Sequence, residues 1–196
     1  MKVALFYNNN IGVELFNYLI KNNIEIKLVV TNSYPIYYLQ KFWIKTLFYD
    51  KKKIDNIIEE LKKEDIELGI TAGFPIIPEK LWKLPKFKFI NLHYSLLYSY
   101  GGPNPVEWQI HNKEKETGVT VHFISNKIDR GAIIIQKKID MPKIKIPLLV
   151  IQKLNPIGQV AIFEAIQLII KYKDDFENIP SIESKYPISY QSFYKG

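Results

Sequence analysis

The chain has 196 residues, no cysteine, 47% hydrophobic and 24% charged residues, and a formal net charge of +7. That profile fits one globular domain or a little more, and it excludes disorder, disulfides and thiolate metal sites. No run approaches the roughly 18 apolar residues that span a bilayer, and the apolar run from Val3 to Tyr7 is too short for a secretory leader, so the expected setting is the cytoplasm with no membrane partner.

Val3 to Tyr7 reads as a buried strand, and Asn8-Asn9-Asn10 as a turn whose last member caps a helix from about Ile11 to Lys21. Ile24 to Thr31 is a second strand. The aromatic segment from Asn32 to Asp50 has no clear period, and the role of residues 34–49 stays open. Ile54, Ile57, Ile58 and Leu61 make one stripe of a helix ending at Lys63. Ile66 to Ala72 is a strand, closed by a Gly-Phe-Pro loop. A short helix begins at Pro78 and runs to Leu84. Phe87 to His93 is the next strand and Pro105 to Asn112 the next helix. Thr117 to Ser125 alternates, with Val119, Val121 and Phe123 against Thr120, His122 and Ile124. Gly131 to Ile139 is a further strand. A long helix runs from Leu148 to Lys171, with Pro156 as a candidate break, and the last twenty residues read as extended.

Strand–helix alternation over the first ninety residues predicts a mostly parallel α/β sheet. The two late strands lie too close in sequence for a parallel crossover and are expected to form an antiparallel hairpin. The expected organisation is one catalytic domain over 1–175 with a tail over 176–196. The basic residues are interleaved with acids, as in Glu59-Glu60-Leu61-Lys62-Lys63-Glu64-Asp65, which is the pattern of a solvated helix face and not a nucleic-acid stripe. The surplus of positive charge favours anionic small molecules. Three histidines with no ligand spacing give no reason to expect a metal.

The chemistry concentrates between residues 90 and 136. Asn91 and His93 sit two apart on one strand and so share a face, about 7 Å from each other. Asp129 stands in the connection of the late hairpin, where aspartate is a common turn former. Taken singly, each is equally a satisfied polar group at a sheet end. Together, Asn91, His93, Ser95, Leu96, Leu97, Tyr100, Gly102, Pro105 and Trp108, followed by Thr117, Gly118, Val119, Thr120, His122, Asp129, Gly131, Ile133, Ile134 and Gln136, resemble the motifs of the folate-dependent formyltransferase family.

The resemblance implies a Rossmann-like formyltransferase fold. It also implies transfer of a formyl group from 10-formyltetrahydrofolate to an amine, with Asn91, His93 and Asp129 as the catalytic set. An amide and an imidazole at a strand end suit the negative oxygen that forms in acyl transfer, and a carboxylate can hold the imidazole charged or relay a proton. By the same resemblance, Ser95, Thr120 and His122 support that set. Gly73, Phe74, Ile76 and Ile77, with Ser125 and Ile128, would line an apolar slot for the pterin. Asn8, Gly101, Gly102 and Asn104 would face the acceptor. Trp108 is expected in the core and His111 on the surface.

Three departures bear on the acceptor. Tyr98 stands where the family has proline, Gly101 where it has arginine, and Asn8-Asn9-Asn10 lacks the glycine-rich cradle of glycinamide ribonucleotide formyltransferases. No downstream domain of the methionyl-tRNA formyltransferase type follows. The preferred acceptor is therefore a nucleotide-linked amino sugar. A methionyl-tRNA formyltransferase-like domain comes next, with tRNA as the alternative acceptor, then a glycinamide ribonucleotide formyltransferase or a formyltetrahydrofolate hydrolase. The non-enzymatic alternative is a folate- or nucleotide-binding module. A homodimer is compatible with the chain.

Overall fold

The computed structural model describes residues 1–32 and 44–193; the part of the aromatic segment that falls on 33–43 lies outside the described residues. The chain divides into two compact units, 1–90 and 91–196. In the first unit, β1 (Lys2–Tyr7), β2 (Glu25–Thr31), β3 (Lys45–Phe48) and β4 (Leu68–Ala72) lie in the order β3-β2-β1-β4. All three pairings are parallel, with Val3 opposite Ile26 and Leu68, and Leu28 opposite Lys45. Every residue from Val3 to Tyr7 and from Leu68 to Ala72 is buried. Successive strand side chains point to opposite faces, so both faces of these strands are covered, which is why they read as unbroken apolar runs.

Helix α1 (Asn9–Lys21) buries Leu15, Phe16 and Leu19, and α2 (Ile54–Lys63) buries Ile57 and Leu61. The residue at the N-cap of α1 is Asn8, not Asn10, and its side chain makes no capping bond. Instead Asn8 Oδ1 accepts from Asn32 N at 3.3 Å. A short helix α3 (Glu79–Trp82) follows Pro78. Strand β5 (Phe89–His93) starts two residues later than its apolar run suggests, because Lys88 has a positive φ of 58°. The boundary between the units falls inside β5.

The second unit holds the end of β5, helix α4 (Pro105–His111), β6 (Glu116–Phe123), β7 (Ile133–Asp140) and helix α5 (Pro147–Lys171), in strand order β5-β6-β7. β6 and β7 are antiparallel as expected, pairing Thr120 with Gln136 and His122 with Ile133 across a register shift at Val121/His122. Both strands are displaced from the expected bounds, so the connection spans 124–132. Residues Thr117 to His122 are all buried, so the alternation in β6 separates two covered faces and not a core face from a wet one. Helix α5 runs unbroken through Pro156 and buries Val150, Leu154, Gly158, Ala161, Ile162, Ala165, Ile166 and Ile169, the four-and-three spacing of a helix lying on a sheet. It packs on β6 and β7. Among the described residues no helix is long and apolar enough to cross a membrane.

A 3-10 turn at Phe176–Asn178 opens the tail, contrary to a wholly extended segment, and two isolated bridges tie its later described residues down. Ile182 bridges Ile133, and Tyr190 bridges Gly101 in parallel.

Candidate active site

β5 delivers Asn91 and His93 to one face, as the period of two requires. β6 brings His122, and the β6–β7 connection brings Asp129, whose φ of 51° is a left-handed conformation that aspartate tolerates. Gly131 makes this turn possible. A Cβ there would run into the carbonyl oxygen of Phe123, so only glycine lets the chain pass that close.

The four side chains converge. Asp129 Oδ2 lies 3.7 Å from His93 Nδ1, and Asp129 Oδ1 lies 3.4 Å from His122 Nε2. Asn91 Nδ2 donates to His122 Nε2 at 3.1 Å. Carbonyl oxygens accept only, so the ring nitrogens facing them carry hydrogens. His122 Nδ1–H donates to Phe123 O at 2.8 Å, and His93 Nε2–H donates to Tyr100 O at 2.8 Å. The backbone N–H of Gly102 donates to Asp129 Oδ2 at 2.7 Å. His93 and His122 are 7% and 2% exposed, which takes the cluster out of bulk water.

Burial pushes the His93 imidazole below its ordinary value, and this outweighs the opposing pull of the Asp129 carboxylate. Burial would raise the Asp129 carboxyl, but the imidazolium forms of His93 and His122 and the Gly102 N–H overcome it and hold the acid well below the carboxylate range. At neutral pH the site holds a neutral His93 beside an ionised Asp129.

The loop after β5 is fixed from below. Ser95 Oγ donates to Ser99 O at 2.7 Å, Thr120 Oγ1 donates to Ser95 O at 2.7 Å, and Gln136 Nε2 donates to Leu97 O at 2.8 Å. Thus Ser95, Thr120 and Gln136 set the path of the chain that carries Tyr100 O and Gly102 N. Gln136 matched the motif without a role being assigned to it. The contribution of Tyr100 and Gly102 is made by backbone atoms, which no side-chain pattern announces.

The remaining expected residues are more dispersed. Gly73 (φ 57°), Phe74, Ile76 and Ile77 belong to the first unit. There Phe74 packs edge-on against Phe6 and Tyr49, Ile77 is core, and Ile76 is 69% exposed. Asn8 also belongs to the first unit. In the second, Ser125 closes a turn onto Lys127 O at 2.9 Å, and Ile128 is exposed. Asn104 occupies the N-cap of α4 with φ 54°. Trp108 is half-buried, contrary to a core position, and its Nε1 donates to Ser192 O at 2.9 Å. His111 is exposed. A Cβ at Gly101 would stand 3.3 Å from Ser189 O and 3.5 Å from Asp129 Cβ, so the tail crowds the position at which the motif carries arginine. Among the described residues no group of three or more His, Asp or Glu could hold a metal ion.

The family model described as formyl transferase matches residues 1–146. The chain is 32% identical over 134 residues to the methionyl-tRNA formyltransferase of Bacteroides fragilis, covering 68% of this chain and 41% of the relative. It is 37% identical over 123 residues to the methionyl-tRNA formyltransferase of Thermodesulfovibrio yellowstonii, covering 62% and 40%. The chain spans about two-fifths of the length of these curated relatives. Among solved structures, phosphoribosylglycinamide formyltransferase from Anaplasma phagocytophilum superposes with a TM-score of 0.81 at 24% identity, covering 98% of this chain and 99% of that one. A formyltetrahydrofolate deformylase from Pseudomonas syringae pv. tomato gives 0.76 at 16% identity, covering 87% and 61%. The fold is the Rossmann-like one that these structures share.

Proposed function

This chain belongs to the formyl transferase family, and from that premise we propose that it transfers the formyl group of 10-formyltetrahydrofolate to a primary amine. The observation that carries this reading is the convergence of His93 and His122 on one half-buried carboxylate, Asp129, with Asn91 bonded to His122.

In the reaction the amine nitrogen bonds to the formyl carbon, the carbonyl oxygen becomes negative, the amine loses a proton, and the folate nitrogen leaves with one. An amide nitrogen has two N–H bonds, so the Asn91 group that donates to His122 can also donate to that oxygen. Neutral His93, with its hydrogen on Nε2, presents a lone pair on Nδ1 toward Asp129. A proton accepted there arrives beside the carboxylate, which stabilises the imidazolium until it passes the proton to the leaving nitrogen. Asp129 itself is too weak a base for direct proton abstraction, because the same neighbours that keep it ionised lower its proton affinity. Its part is electrostatic. For His93 Nε2–H to reach the developing oxygen, that oxygen must replace Tyr100 O as its acceptor.

Within the first unit, the reading gives the pterin to Gly73, Phe74, Ile76 and Ile77. Exposed Ile76 is an apolar group available to it there. For the acceptor, the reading is a nucleotide-linked amino sugar. It is supported by the crowded Gly101 and by a cavity of about 480 Å³ lined by Ser99, Tyr100, Lys113, Lys115 and Tyr186 among others. The two aromatic rings suit a base, while the Lys113 and Lys115 ammonium groups share the lining with Glu114 and Glu116 and leave it without surplus charge. A methionyl-tRNA is the second reading, favoured by the 32% and 37% identities above. The test is to incubate the protein with 10-formyltetrahydrofolate and a panel containing nucleotide-linked amino sugars, charged initiator tRNA and glycinamide ribonucleotide, and to identify the formylated product by mass. Formylation of the amino sugar supports the first reading, and exclusive formylation of the tRNA overturns it.

A further inference from the structure

The loop from Leu97 to Asn104 supplies the two backbone atoms that the cluster needs, Tyr100 O for His93 and Gly102 N for Asp129. It has no regular structure, and Tyr100, Gly102 and Asn104 all have positive φ, so it is held in place by what it touches.

Much of that contact comes from the far end of the chain. Ser184 Oγ accepts from Tyr98 N at 3.0 Å and donates to Leu97 O at 2.5 Å. Ser99 Oγ donates to Pro187 O at 2.9 Å. Ser189 is the hub. Its N donates to Tyr98 O at 3.0 Å, its Oγ accepts from Tyr100 N at 2.8 Å, and its O accepts from Gly101 N at 3.1 Å. Gln191 N closes the run on Gly101 O at 2.8 Å. Arg130, next in sequence to Asp129, ties the two sides together. Its Nη1 and Nη2 donate to Tyr98 O and Ser189 O, each at 3.2 Å, and its guanidinium lies 5.6 Å from the centre of the Tyr98 ring. Every contact lies within the second unit.

We propose that the 184–191 segment is a positioning strap for catalysis, with Ser189 as the residue that sets Tyr100 and Gly102 against His93 and Asp129, and Arg130 as its anchor. The inference rests on the formyl-transfer reading for its kinetic consequence only. The geometric consequence, that the surroundings of His93 depend on Ser189, is independent of it. His93 faces Asp129 from the turn, His122 from β6 and the Tyr100 carbonyl from the loop. Of these, the strap acts directly on Tyr100, and on Asp129 through Gly102 and Arg130. Loosening it changes both the burial that keeps the ring neutral and the Tyr100 and Asp129 contacts that favour its charged form.

The test uses the full chain, with ring NMR of the three histidines titrated in wild type, Ser189→Ala, Ser189→Thr and Arg130→Lys. Ser189→Ala removes the acceptor of the Tyr100 N–H, Ser189→Thr retains it, and Arg130→Lys keeps the charge but loses the two-pronged donor. In Ser189→Ala and Arg130→Lys the His93 titration should shift away from the wild-type value, while Ser189→Thr stays with wild type. With whichever amine the wild type formylates, Ser189→Ala should lose about tenfold in kcat with KM for the folate within about twofold, as expected when reacting groups are displaced and binding is not. A folded Ser189→Ala with unchanged His93 titration, or a Ser189→Thr no better than Ser189→Ala, overturns the strap. If Ser189→Ala does not fold, Arg130→Lys decides in the same terms. A wild type without turnover on any amine refutes the formyl-transfer reading instead, and the titration still decides the strap.

Discussion

At the scale of single residues, the site sets burial against charge. His93 is removed from water, which lowers its affinity for a proton, and Asp129 restores only part of it. His93 is therefore already neutral at physiological pH, as the proposed base requires. We expect the acid limb of kcat to lie below about 6.5, the ordinary imidazole value. Asp129→Asn should move that limb lower still, because it removes the one charge that favours imidazolium. A pH–rate profile checks both, and a wild-type limb at or above the ordinary value contradicts the assignment. Stability follows with the same sign. His93 has a folded-state value below its unfolded one, so its contribution is complete above about 6.5 and is lost as pH falls through the folded value. Asp129, also lowered, contributes fully above about 3.9 and loses this as pH falls through its own folded value. Acidification from pH 7 should thus lower the thermal midpoint, beginning near the upper of these two values; a midpoint that rose between pH 7 and 5 would contradict the His93 direction.

At the scale of elements, the β6–β7 hairpin explains most of the motif. Thr120 and Gln136, paired across the ladder, support the β5 loop, and Gly131 lets the connection fold back on Phe123 O to present Asp129. Gly131→Ala should destabilise the protein by about 1–3 kcal/mol, the usual cost of forcing atoms into a filled site, read as a lower denaturant midpoint at unchanged slope. A neutral result would mean that the turn has room it does not show. The elements themselves were legible, because buried parallel strands announce themselves as apolar runs and α2 by its stripe. Their ends were less so. Lys88, with a positive φ, cuts β5 short of Phe87, a backbone event with no hydrophobic signature. His122 matched a motif, but its place against Asn91 and Asp129 depends on a register shift that no single strand reveals. The contacts of the tail gave no signal. Its side-chain bonds to the β5 loop and α4 join residues 84 to 89 positions apart, and most use serine and backbone groups, which have neither period nor charge.

At the scale of the whole molecule, the surplus of seven positive charges bears on the acceptor through its salt dependence. A nucleotide-linked sugar engages few phosphates, so its KM should change only modestly between about 50 and 200 mM salt, whereas a tRNA held by several phosphates would lose affinity by orders of magnitude. A steep slope with any accepted substrate would favour the nucleic-acid reading. That Asp129 and the imidazole beside it carry the proposed formyl transfer is tested most directly by following the appearance of tetrahydrofolate from 10-formyltetrahydrofolate, with and without the accepted amine, in wild type and Asp129→Asn. Wild type should turn over only when amine is present, and Asp129→Asn, still folded, should be slower by about 10²–10⁴-fold. Turnover in wild type that is indifferent to amine would identify a hydrolase, and an Asp129→Asn protein retaining a third of the wild-type rate would contradict the role assigned to the carboxylate.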